Sequence, residues 1–149
     1  MYKHILIPTD GSRLAAKGVK AGVRLAKALV ARVTGVCVVP RNPPPVYGGD
    51  GAVFVPEMTP ERFEKAMKSE AAKALRPIET EARAAAVRCT TEAPADNQPW
   101  QGILRVARAR KCDAIVMASH GRGSLGGLIL GSEATRVLAH SKIPVLVVR

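Results

Sequence analysis

Asp113-Ala114-Ile115-Val116-Met117-Ala118-Ser119-His120-Gly121-Arg122-Gly123 is a strand-length apolar run that breaks into a loop of serine, glycine and arginine. The run is apolar at every position, as in a strand covered by helices on both faces rather than one wetted on one side. The N-terminus repeats the pattern: Ile5-Leu6-Ile7 leads through Pro8 and Thr9 into the turn Asp10-Gly11-Ser12. Three more stretches have strand character, residues 33–39, residues 87–92 and Pro144-Val145-Leu146-Val147-Val148.

Helical periodicity fills the intervals. Ser12 is a cap for a helix reaching about Ala31, with Leu14, Gly18, Ala21, Leu25 and Leu29 on one stripe. Thr59-Pro60-Glu61 is a helix start, a cap followed by proline at the first position and an acid in the first turn. That helix extends to about Ala85, with a kink or break expected at Pro77. A third helix spans residues 100–109, with Ile103, Leu104, Val106 and Ala107 facing inward, and a short one spans residues 133–139. Residues 40–60, with Pro43-Pro44-Pro45 and Gly48-Gly49, read as one long irregular stretch of the kind that forms lids or mobile segments.

Strands alternating with helices predict one α/β domain over residues 1–149, an open parallel five-stranded sheet with helices on both faces. Right-handed crossovers favour the strand order 3-2-1-4-5. Ligands of such sheets bind outside the carboxyl ends of strands 1 and 4, where the order reverses. The loops there are Thr9-Asp10-Gly11-Ser12 and the glycine-rich loop after Ala118. The third strand is the least apolar and belongs near an edge. The last strand is apolar, with its charge only beyond it at Arg149, and its exposed edge predicts a homodimer paired through it.

Composition bounds the rest. The 149 residues are 47% apolar and 3% aromatic, so the core is built from aliphatic side chains. No apolar run approaches the ~20 residues of a membrane span. No signal-peptide pattern opens the chain, so a cytoplasmic protein without a membrane partner is expected. The net charge of +11 invites a nucleic-acid reading, but the cations are dispersed without interleaved aromatics, and some pair with acids, as at Glu61–Lys65 and Glu64–Lys68. A solvated basic surface is the reading adopted. Cys37, Cys89 and Cys112 fit no disulfide or zinc spacing; Cys37 reads as a core residue and the other two as more exposed.

The glycine-rich loop matches two familiar patterns only superficially. Gly121-Arg122-Gly123-Ser124-Leu125-Gly126 has the G-x-G-x-x-G spacing but does not follow the first strand or open directly into a helix. Gly126 and Gly131 have P-loop separation, but Ser132 stands where the lysine belongs. What remains is physical: glycines let backbone amides approach a phosphate, and Gly131-Ser132 begins a helix whose N-terminus attracts anions. Asp10 can accept hydrogen bonds from a ribose or help place a metal. Ser119 and His120 are neighbours whose side chains point apart on an extended segment, and no third group completes a triad. His4, His120 and His140 lack metal-ligand spacing and read as surface or packing residues.

Together these segments, with Leu130-Gly131-Ser132 and Ile143-Pro144-Val145-Leu146-Val147-Val148, resemble the universal stress protein family over the whole chain. The resemblance implies a Rossmann-like, adenine nucleotide alpha hydrolase-like fold and an ATP-binding loop of the form G-x2-G-x9-G-[S/T]. Gly121, Gly131 and Ser132 fit that loop, while Ala118 stands in place of its first glycine. It implies that Asp10 and Val38 line the adenosine, with Pro8 and Thr9 beside Asp10, and that Met117 and Ala118 meet adenine or ribose. Gly121, Arg122, Gly131 and Ser132 would hold the phosphates of ATP, with Glu133 next to them and Mg²⁺ as the shared metal. The implied role is a dimeric stress-response switch or partner-binding module, with at most slow ATP hydrolysis. The alternatives are a nucleotide-free stress protein acting through dimerisation and protein contacts, motivated by Ala118 and Glu133, or a basic nucleic-acid binder.

Overall fold

The structure, a computed structural model, describes residues 1–47, 49, 53–54, 58–120 and 130–149. Five strands make the main sheet: β1 His4–Pro8, β2 Arg32–Val36, β5 Cys89–Glu92, β6 Ala114–Ala118 and β7 Val145–Val148. A separate pair, β3 Val46–Tyr47 and β4 Val53–Phe54, is antiparallel and lies within the stretch expected to be irregular. The helices are α1 Ala15–Leu29, α2 Pro60–Ala84, α3 Pro99–Ala109 and α4 Ser132–His140. The sheet order is β5-β2-β1-β6-β7 with every pairing parallel, which is the predicted 3-2-1-4-5. β5 and β7 are its edges.

Period-two alternation divides the core. Ile5, Ile7, Val33 and Val116 pack on one face with Val19, Val23 and Ala26 of α1 and Ala71, Leu75 and Ile78 of α2. Leu6, Val36, Ile115 and Met117 pack on the other face with Ile103 and Val106 of α3 and Ala134 and Val137 of α4. Cys37 is buried as expected; Cys112 is buried too, contrary to the sequence reading, and burial pushes its thiol up to about 11.

α1 turns a different stripe inward from the one its leucines suggested. Ala15, Gly18, Val19, Gly22, Val23 and Ala26 are buried, while Leu14 is exposed. The reason is close approach: a Cβ at Gly18 would lie 2.6 Å from the backbone nitrogen of Ala118. Small residues let the helix seat against β6, and Leu25 and Leu29 pack at the margin. α2 continues through Pro77, which is exposed, without the expected break. The Thr59 hydroxyl accepts from the Arg62 amide at 3.3 Å, so the cap read from Thr59-Pro60-Glu61 forms. Glu64 pairs with Lys68 at 2.6 Å, whereas among the described residues Glu61 and Lys65 form no ion pair.

Candidate functional site

The two strand ends singled out by the sheet order, after β1 and after β6, meet at one cavity. The first is held by its own small polar side chains. The Ser12 amide donates to Asp10 Oδ1 at 2.9 Å, the Gly11 amide to Thr9 Oγ1 at 3.1 Å, and the Ala15 amide to Ser12 Oγ at 3.1 Å. Gly11 has φ 77°, a left-handed conformation that favours glycine. The Thr9 amide donates to the Val36 carbonyl at 2.9 Å, tying the turn to β2. Asp10 is thereby fixed at the carboxyl end of β1.

At the end of β6 the Ser119 amide donates to the Val148 carbonyl and the Ser119 carbonyl accepts from the Gly131 amide, both at 2.8 Å. The chain thus returns to Ser119 just before α4 begins. A Cβ at Gly131 would lie 3.1 Å from the Ser119 carbonyl oxygen, so a glycine fits this junction best. The first amides of α4 have no intrahelical acceptors, which leaves the positive end of the helix facing the cavity.

The cavity between these strand ends holds about 450 Å³, within the range of small-molecule sites. Of the residues selected from the sequence, Pro8, Thr9, Asp10, Val38, Met117, Ala118, Gly131, Ser132 and Glu133 all line it. Gly121 and Arg122 lie outside the described residues. Six further lining residues, Ala15, Val36, Pro99, Ile103, His120 and Ala134, were not selected. Val36 and Ile103 belong to the same aliphatic pattern that builds the core, so nothing in the sequence marks them. Val38 is held in position from behind: a Cβ at Gly102 would meet both its methyls at 2.8 Å. Asp96, whose amide donates to the Val39 carbonyl at 2.8 Å, braces the same segment. The Gln98 amide and then Arg105 hold the Asp96 carboxyl below its usual range.

Three side chains, those of Ser119, His120 and Glu133, are placed otherwise than the sequence suggests. Ser119 Oγ and His120 Nδ1 are 3.0 Å apart, not pointing away from each other. The strand ends at Ala118, so strand alternation no longer governs them. Glu133 Oε2 accepts from the Trp100 amide at 2.8 Å, and its Oε1 lies 3.6 Å from Arg136 Nη1. Glu133 therefore caps the start of α3, where Gln98 supplies no side-chain cap, while standing in the first turn of α4. Two helix N-termini and a guanidinium offset its charge beside the cavity. Ala118 alternates with Met117, so its methyl lies on the α1 side of β6 together with Val116. His140 stacks on Trp100 with ring centroids 4.4 Å apart. Among the described residues no group of three or more His, Cys, Asp or Glu side chains could hold a metal ion, and no helix is long and apolar enough to cross a membrane.

The model of the universal stress protein family matches residues 1–149. The chain belongs to the universal stress protein family. Universal stress protein MJ0531 of Methanocaldococcus jannaschii is 32% identical over 149 residues, covering 100% of this chain and 83% of that protein. Universal stress protein YxiE of Bacillus subtilis is 31% identical over 149 residues and matches over the full length of both. Among solved structures, universal stress protein UspA from Lactobacillus plantarum superposes with a TM-score of 0.75 at 23% identity, covering 99% of this chain and 98% of that one. A universal stress protein in complex with cAMP has a TM-score of 0.68 at 22% identity, with coverage of 99% and 97%. One from Archaeoglobus fulgidus in complex with dAMP has a TM-score of 0.71 at 19% identity, with coverage of 99% and 98%. These structural likenesses establish the α/β fold.

Proposed function

We propose that this universal stress protein binds an adenine nucleotide in the cavity between the β1 and β6 loops, with ATP and Mg²⁺ as the physiological ligand. The observation that carries the proposal is the convergence of three chemically distinct walls on one 450 Å³ space. Val36, Val38, Ile103 and Met117 offer an apolar slot for a purine. Asp10 offers a carboxylate for ribose hydroxyls. Ser132 and the first amides of α4, with Gly121 and Arg122 nearby in sequence, would hold phosphates. Mg²⁺ would travel with the phosphates, few of its ligands coming from protein. Two proteins similar in fold carry cAMP and dAMP, both adenine nucleotides, which supports the choice of base.

The module would work in the cytoplasm as a homodimer paired through β7, whose Leu146 is 49% exposed. Nucleotide occupancy would change the surface offered to a protein partner. Residues 48, 50–52 and 55–57, part of the long stretch expected to be irregular, lie outside the described residues. Calorimetric titration with Mg·ATP tests the binding: saturable heat is expected, and no binding at millimolar ligand refutes it. Native mass spectrometry reads the dimer and bound nucleotide together, and a stable dimer after deletion of the final strand refutes the pairing. The nucleotide-free reading is favoured by one observation, the Gly131 amide already taken by the Ser119 carbonyl. Co-purified ATP or ADP would eliminate it.

A further inference from the structure

We propose that His120 is the side chain by which this site distinguishes nucleotides from nucleosides, its Nε2–H donating to the ligand's phosphate, and that Ser119 sets the tautomer that makes this possible. The inference rests on the nucleotide-binding reading above and adds a residue and a specificity to it.

Ser119 is 6% exposed, and its backbone is fixed on both sides by β7 and by Gly131. A buried hydroxyl needs an acceptor for its proton, and the His120 Nδ1 atom at 3.0 Å is the partner present. With Oγ–H donating to Nδ1, the neutral ring carries its own proton on Nε2. His120 lines the cavity. Its Cδ2, bonded to Nε2, lies 3.7 Å from where a Cβ of Gly131 would be, immediately before α4. The Cδ2 edge of the ring, to which Nε2 belongs, thus lies beside the residue that precedes α4, and among the described residues Nε2 has no hydrogen-bond partner.

The two charged groups flanking that end do not compete for it. Glu133 is engaged by the Trp100 amide and Arg136. Asp10 sits across the cavity on the β1 loop, where its Oδ1 accepts the Ser12 amide. A phosphate between His120 and the first turn of α4 would take one imidazole donor and the helix amides together. An uncharged nucleoside occupies the apolar slot and the Asp10 wall without reaching His120.

The experiment measures Mg·ATP and adenosine binding to the full chain as wild type, His120→Ala, His120→Gln, His120→Asn and Ser119→Ala. A hydrogen bond to a charged group predicts a loss of ATP affinity of roughly 10- to 100-fold in His120→Ala. Adenosine affinity should stay within about twofold of wild type. Glutamine reaches as far as Nε2 and should recover most of the loss; asparagine reaches only as far as Nδ1 and should not. Thermal unfolding checks that each variant is folded. Nitrogen-15 spectra of the histidine ring give an independent readout: the Nε2–H tautomer is expected in wild type, shifting toward a mixture in Ser119→Ala. ATP binding unchanged in His120→Ala, equal losses for ATP and adenosine, or an Nδ1–H tautomer in wild type would each overturn this inference alone. No ATP binding by wild type would overturn the nucleotide reading and this inference with it.

Discussion

Gly18→Ala isolates the close contact that brings α1 onto the candidate site. In an exposed helix the change stabilises, because alanine is about 1 kcal/mol better than glycine in a helix interior. Here the added methyl would sit 2.6 Å from the Ala118 backbone nitrogen and 3.0 Å from the Met117 carbonyl carbon. Neither atom can rotate away, and β6 is clamped between β1 and β7, so α1 must lift. Overpacking of a tight core costs about 1–3 kcal/mol, and a backbone obstacle places this case near about 3. Subtracting the helix gain leaves a net loss of about 2 kcal/mol. For a chain of this size that lowers Tm by about 4–8 °C. Calorimetric melting of Gly18→Ala reads it, with Gly49→Ala, whose Cβ would meet nothing within 4 Å, as the neutral control. Gly22→Ala should lose less, because its obstacle is the side chain of Ile7. A Gly18→Ala melting temperature equal to or above wild type would refute the reasoning.

Glu133→Val removes the acceptor of the Trp100 amide and should cost about 1 kcal/mol, or about 2–4 °C in Tm, whereas Glu133→Gln keeps an acceptor oxygen and should lose less. Equal melting of the valine variant and wild type would show that the cap is dispensable. Burial, then the nearby Arg32, lowers the pKa of His4, so the folded protein keeps this ring neutral where the unfolded chain would protonate it. Its contribution is present above pH 6.5 and lost as pH falls from there toward the folded value. Urea unfolding from about pH 7.5 to about pH 5.5 should therefore show falling stability, by at most about 1.4 kcal/mol per pH unit from this group. His4→Gln should flatten that slope, and an unchanged slope would assign it to other groups. Val30 ends α1 at φ 54° and is 85% exposed, a conformation costing a branched side chain about 1–2 kcal/mol. Val30→Gly should raise Tm by about 1–4 °C after glycine's greater unfolded-state entropy is deducted; a lower Tm would contradict the strain argument.

Most of the candidate site was legible because it is written in short connections. Asp10 and Gly131-Ser132 each follow a strand or start a helix, and the strand order alone brings those two ends together. His120 is in plain view in the sequence, but strand alternation does not give its orientation, because β6 ends at Ala118, two residues before it. The position of Glu133 next to Gly131-Ser132 is plain in the sequence, but its bond to Trp100, 33 residues away, has no local signal. Cys112 is polar enough and near enough to charged neighbours to look exposed, yet it closes the α3 side of the core.

The sequence by itself determined the helices, the five strands of the main sheet, their order and the two strand ends that meet at the cavity. Periodicity and capping act over a few residues, and right-handed crossovers leave little freedom between them. Only the tertiary structure decided which face of α1 turns inward, which methyl of the sheet faces it, and where the carboxylate of Glu133 and the ring of His120 point. Those outcomes depend on distances between chain segments far apart in sequence. There the small residues Ala15, Gly18, Gly22 and Ala26 let α1 seat closely, a Cβ at Gly18 having only 2.6 Å to the Ala118 nitrogen, and Leu14 is left exposed.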